Sequence, residues 1–158
     1  MKRILSQALV LAAWLAGISL ASAQSTDVVI RSTRGNFADV KARVLHAIEN
    51  RGLVLNYTAR IGAMLARTGK DIGAAGQIYS EAEMLEFCSA RVSRDTMEAD
   101  PRNIVFCPYA IAVYTLPKDI NTVYVGYRRL AAFGSPQSVK SLRAAEQLVA
   151  DIVRDALK

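Results

Sequence analysis

The stretch "VFCPYAIAVYTLPKDINTVYVGYRR", Val105 to Arg129, decides the fold. Val105 to Leu116 reads as one long strand, and its near-continuous apolar run from Ala110 makes it central and buried on both faces. Proline cannot donate to a strand ladder, so Pro108 belongs near the strand start or at a bulge. Pro117 to Asn121 supplies the turn. After it, Val123, Val125 and Tyr127 alternate with Tyr124, Gly126 and Arg128, the period-2 pattern of a strand. Consecutive strands joined by so short a turn run antiparallel, so the sheet is at least partly antiparallel.

Upstream, "DVVIRST" from Asp27 is β-branched and ends at Arg34-Gly35, which reads as a first strand. Asn36 can cap a helix over 36–51, in which Phe37, Val40, Val44, Leu45 and Ile48 share one face. Gly52 stands where a left-handed C-terminal residue is wanted. "LVLNYTA" is a second strand, "IGAMLART" a short helix stopped by Gly69, and "DIGAAGQ" a glycine-rich loop. A third strand runs from near Tyr79 to Cys88, with Glu81, Glu83 and Leu85 on one face and Ala82, Met84 and Glu86 on the other. Ser89 can cap a third helix that ends before Asp100-Pro101. Ser135-Pro136 opens the last helix, striped by Leu142, Ala145, Val149, Ile152 and Ala156. The order β-α-β-α-β-α-β-β-α makes an α+β fold, one sheet with helices packed on it.

The N-terminus sets the redox context. Lys2 and Arg3 precede an apolar run from Ala8 to Leu20, and Ala21-Ser22-Ala23 is a small-x-small site. That is the layout of a secretory signal peptide over 1–23, and the run is too short for a membrane span. The expectation is cleavage before Gln24, a periplasmic or secreted protein, and no transmembrane anchor afterwards. Residues 24–158 then form a single domain. Losing Lys2 and Arg3 takes the formal charge from +6 to +4, the excess of an ordinary soluble surface. Export argues against nucleic acid as a partner.

Catalytic motifs are missing. There is no C-x-x-C and no C-x-x-C-H. His46 lies off the apolar face of its helix, and two cysteines with one distant histidine do not make a closed zinc site. "TGK" at Thr68 to Lys70 lacks the spacing of a phosphate loop. Glu81, Glu83 and Glu86 read as the solvated glutamates of a wet or edge strand, and Tyr109, Tyr114, Tyr124 and Tyr127 as packing with hydroxyls at the rim. Cys88 and Cys107 remain. Cys88 ends a strand just before a helix start, where backbone N–H groups would favour thiolate. If the two strands are neighbours, the sulfurs can meet. A disulfide there would close a loop of about 20 residues, worth roughly 3 kcal/mol. A reduced pair binding metal or haem, and unpaired or redox-active thiols, stay open beside it.

The block from Phe87 to Tyr114 resembles the domain of unknown function 302 family. That family shows a Cys-Asn-Pro step into a helix, then Leu-Pro-Cys opening an apolar strand that ends in Val-Tyr. Here the first step is Cys88-Ser89-Ala90, "EADP" (Glu98 to Pro101) ends the helix, and Cys107-Pro108-Tyr109 opens the strand that ends in Val113-Tyr114. Serine caps as asparagine does, so the helix start survives. The family's second cysteine position holds Tyr109, and the thiol sits at Cys107 instead. The resemblance implies the small α+β fold first named from a Thermus protein, a site around the cysteines, and a homodimer. It implies no reaction.

The expected function is an exported ligand-binding or accessory module, leaning away from an enzyme, with a site at Cys88 and Cys107. Phe87, Ser89, Pro108 and Tyr109 are the expected lining, and haem or a soft metal is the sharpest ligand. A small ligand or a protein partner is left open. The alternatives are a thiol-redox enzyme using the same pair and a structural or partner-binding domain with an inert disulfide.

Overall fold

The computed structural model describes residues 27–158, so the signal-peptide expectation for 1–23 lies outside the described residues. The elements are β1 (Val28–Arg34), α1 (Phe37–Glu49), β2 (Val54–Ala59), α2 (Ile61–Thr68), β3 (Glu81–Cys88), α3 (Ala90–Ala99), β4 (Tyr109–Leu116), β5 (Asp119–Arg128) and α4 (Pro136–Ala156). Short 3-10 segments occupy Lys70–Ile72 and Pro101–Phe106. The five strands form one antiparallel sheet in the order β1-β5-β4-β3-β2. The β4–β5 hairpin is therefore central and the α+β class holds.

Local chemistry explains the element ends. The Asn36 side chain accepts from the Asp39 N–H, Ser89 from Val92 and Ser135 from Ser138, so α1, α3 and α4 each start with one orphan donor satisfied. At the end of α1, Gly52 takes φ 68°, a left-handed conformation that suits glycine. Asp100 caps the Pro101–Phe106 segment through the Arg102 N–H and also accepts from the Arg102 guanidinium.

One side of the sheet carries the core. Val40, Val44 and Ile48 of α1 and Ala145, Val149 and Ile152 of α4 meet Leu85, Phe87, Ile111, Val113, Val123 and Val125 from the strands. Each large side chain so buried stabilises by about 1.5–3 kcal/mol. Helix α3 packs on α4, and α2 leans on β3, where Gly62 lies against the Ala82 backbone.

Several expectations need correction. Strand β4 is not buried on both faces: Tyr109, Ile111, Val113 and Thr115 are buried, whereas Ala110, Ala112, Tyr114 and Leu116 are partly exposed. The run looked continuous because Ala110 and Ala112 are apolar, but they face a side of β4 that is only partly covered. Val105 and Phe106 belong to the 3-10 segment, and the strand starts at Tyr109, after proline. The third strand starts at Glu81 rather than near Tyr79, and the glycine-rich loop holds one 3-10 turn.

Candidate functional site

The two thiols meet at one end of the sheet. Cys88 is the last residue of β3, and Cys107 links the Pro101–Phe106 segment to β4. Antiparallel pairing of β3 with β4 sets Phe87 opposite Tyr109, which brings the end of one strand beside the start of the other. The sulfurs lie 3.0 Å apart as free thiols, both partly exposed. Ser93, on the first turns of α3, places its Oγ 3.7 Å from the Cys107 sulfur. Cys107 is followed by a cis peptide bond to Pro108.

Of the expected lining residues, Phe87 and Tyr109 are core: Phe87 is fully buried, and their rings meet edge to face with centroids 6.1 Å apart. Ser89 is buried as the cap of α3. Pro108 and Tyr109 line a cavity of about 200 Å³ that also touches Phe106, Arg128 and Val149, and neither thiol lines it. That volume is below the roughly 300 Å³ at which small-molecule pockets begin, so the cavity does not suit haem.

Electrostatics overturn one expectation. Burial, then the hydrogen bond and charge of Cys107, then the charge of Glu86 push the Cys88 thiol up to about 11. The start of α3 does not favour thiolate here, because desolvation and a neighbouring sulfur act the other way. The Tyr109 phenol is also raised by burial, partly offset by hydrogen bonding with Ser93 and Thr96. Behind the thiols runs a buried polar seam absent from the sequence reading. Asn103 donates through Nδ2 to the Thr96 carbonyl and to Ser138 Oγ, both at 2.8 Å, and joins α3 to α4. Its one signal in the sequence was a polar residue between the helix-ending Asp100-Pro101 and an apolar run.

The remaining candidates separate. Glu83 binds Lys41 at 2.9 Å on the helix-covered side, whereas Glu86 faces the other way, so the glutamates form no cluster. His46 is exposed beside Glu49. Tyr114 and Tyr124 stack on the uncovered face with ring centroids 5.0 Å apart, and Tyr79 meets Tyr114 edge-on. Among the described residues, no group of three or more His, Cys, Asp or Glu could hold a metal. None of the described helices is long and apolar enough to cross a membrane.

Fold and thiol pair define a class: a small α+β domain with helices packed on a five-stranded antiparallel sheet and two free cysteines meeting at adjacent strand ends. A family model described as domain of unknown function DUF302 matches residues 28–157, and the chain belongs to that family. Its fold is similar to the crystal structure of an uncharacterized conserved DUF302 protein from Bacillus stearothermophilus. The TM-score is 0.69 at 12% identity, over 84% of this chain and 99% of that one. No curated protein matches.

Proposed function

We propose that the protein is an exported, non-catalytic accessory domain whose functional centre is the Cys88–Cys107 pair, a dithiol that closes to a disulfide. The 3.0 Å contact between two thiols from different elements carries this reading. Closure breaks two S–H bonds and forms one S–S bond. Two electrons and two protons pass to the disulfide of a protein exchange partner, which becomes a dithiol. The raised Cys88 thiol argues against a redox catalyst, because attack needs thiolate. Export rests on the layout of 1–23 and on the persistence of disulfides in oxidising compartments. The test is alkylation of protein recovered from the exported fraction, before and after reduction. Two thiols blocked only after reduction support the reading, and two freely reactive thiols overturn it.

A second reading concerns assembly, and the uncovered sheet face favours it. Ile30, Gly126, Ala112 and Met84 form one row across β1, β5, β4 and β3. In another row Arg128, Ala110 and Glu86 follow each other across β5, β4 and β3, Arg128 and Ala110 each lying two residues along from the Gly126–Ala112 pair. A two-fold axis parallel to β4 would lay Arg128 of one copy over Glu86 of the other, with Ala110 between the two charge pairs and the apolar row alongside, a self-complementary pattern. We infer a homodimer through this face.

A further inference from the structure

We propose that the dithiol form of Cys88 and Cys107 holds one copper(I) ion in two-coordinate thiolate ligation. This deepens the preceding reading, resting on its paired and reachable thiols but not on their oxidation. The donor set selects the metal. Two soft sulfurs stand together, and no third His, Cys, Asp or Glu completes a group among the described residues. Zinc in a structural site takes four ligands, so two thiols alone hold it poorly, whereas thiolate softness favours copper(I).

The geometry permits the change that ligation needs. Metal–thiolate bonds of about 2.3 Å laid in a line span roughly 4.6 Å. The sulfurs, 3.0 Å apart, must therefore separate. Both side chains are partly exposed at element ends, and a change of staggered rotamer moves a sulfur by about 3 Å. Ser93 Oγ, 3.7 Å from the Cys107 sulfur, can turn its hydroxyl to donate to the thiolate. Binding breaks two S–H bonds and forms two Cu–S bonds; the protons go to buffer and copper stays monovalent.

The bound group carries one net negative charge, and Glu86 stands two residues before Cys88 on the same strand face. Its carboxylate opposes the charge of the complex, which gives the site a signature that a generic dithiol lacks. Copper(I) is titrated into the reduced full chain without oxygen, against a chromogenic copper(I) chelator. The expected result is one ion per chain, absent from Cys88→Ser, from Cys107→Ser and from wild-type protein alkylated beforehand. Glu86→Gln should tighten binding by roughly three- to tenfold. Apparent affinity should rise with pH, since both sulfurs bind as thiolate and release their protons. Zinc titrated alone should not reach one ion per chain at micromolar concentration. Copper binding that survives alkylation, equal zinc stoichiometry, or no effect of Glu86→Gln would overturn the proposal. Thiols that cross-link yet bind no copper sink this inference alone; thiols that bind copper yet never cross-link sink the disulfide alone.

Discussion

Three neighbours act on Cys88 together: the packing that half-buries it, the Cys107 sulfur and the Glu86 carboxylate. In reduced protein its alkylation should be slow at pH 7 and should quicken about tenfold per pH unit up to about 11, as peptide mass mapping over a pH series would read. A rate already at its plateau near pH 8 would mean the sulfur is less desolvated than its surroundings imply. If the pair is oxidised, Cys88→Ala should cost about 3 kcal/mol in urea unfolding under non-reducing conditions, and little once wild type is reduced as well. Asn103 is the other decisive residue. It is 1% exposed, and Asn103→Ala would leave the Thr96 carbonyl and Ser138 hydroxyl without their shared donor. A loss of about 2–3 kcal/mol is expected, seen as a lower urea midpoint with unchanged slope.

Among the elements, α1 and α4 form the cover of the sheet, and their ends are tied across the layer. Arg51 pairs with Asp155, and Arg43 Nε donates to the Ala156 carbonyl at 2.9 Å. Hydrogen bonds from Lys158 first, then Arg51, hold the Asp155 carboxyl down to about 2, below the usual range near 4. A carboxyl lowered by folding contributes stability that is present above the unfolded value and lost as pH falls through the folded one. Stability should therefore decline between about pH 4 and pH 2, and Asp155→Asn should shrink that decline. Acid titrations of both proteins by circular dichroism check it, and parallel curves would show that the pair is idle. Each N-cap is also separable: Asn36→Ala and Ser135→Ala should each cost about 1 kcal/mol, because each leaves a first-turn N–H without its side-chain acceptor.

At the scale of the molecule, a helix layer on one side leaves the other side of the sheet to find its own cover. Val28 and Ile30 are 48% and 54% exposed on that face, and Ala110, Ala112 and Gly126 give it a low floor. Under the homodimer reading, Ala112→Glu should shift sedimentation velocity from dimer to monomer while circular dichroism stays unchanged. Arg128→Glu should weaken the dimer, and Glu86→Arg added to it should restore the dimer by exchanging the charges. A wild-type chain that sediments as a monomer at tens of micromolar would remove the reading.

Much of this protein was legible along the chain because the signals are local. Helix α1 shows its apolar period, its Asn36 cap and its Gly52 stop within one short stretch, and the Pro117 turn between two β-rich runs prescribes a hairpin. The Phe87 to Tyr114 block carried the family resemblance, and the family followed. What the tertiary structure decided depends on residues far apart in sequence. Ala110 and Ala112 have the same apolarity on a covered or an open face, so only the placement of the helices could show which face of β4 is open. The neighbourhood of Cys88 and Cys107 required β3 and β4 to pair in register. The direction of the Cys88 shift turned on desolvation and a second sulfur, which outweigh the helix start that the chain alone displays. Periodicity, caps and turns act over a few residues and are written into the sequence; burial and through-space charge exist only once the chain has closed on itself.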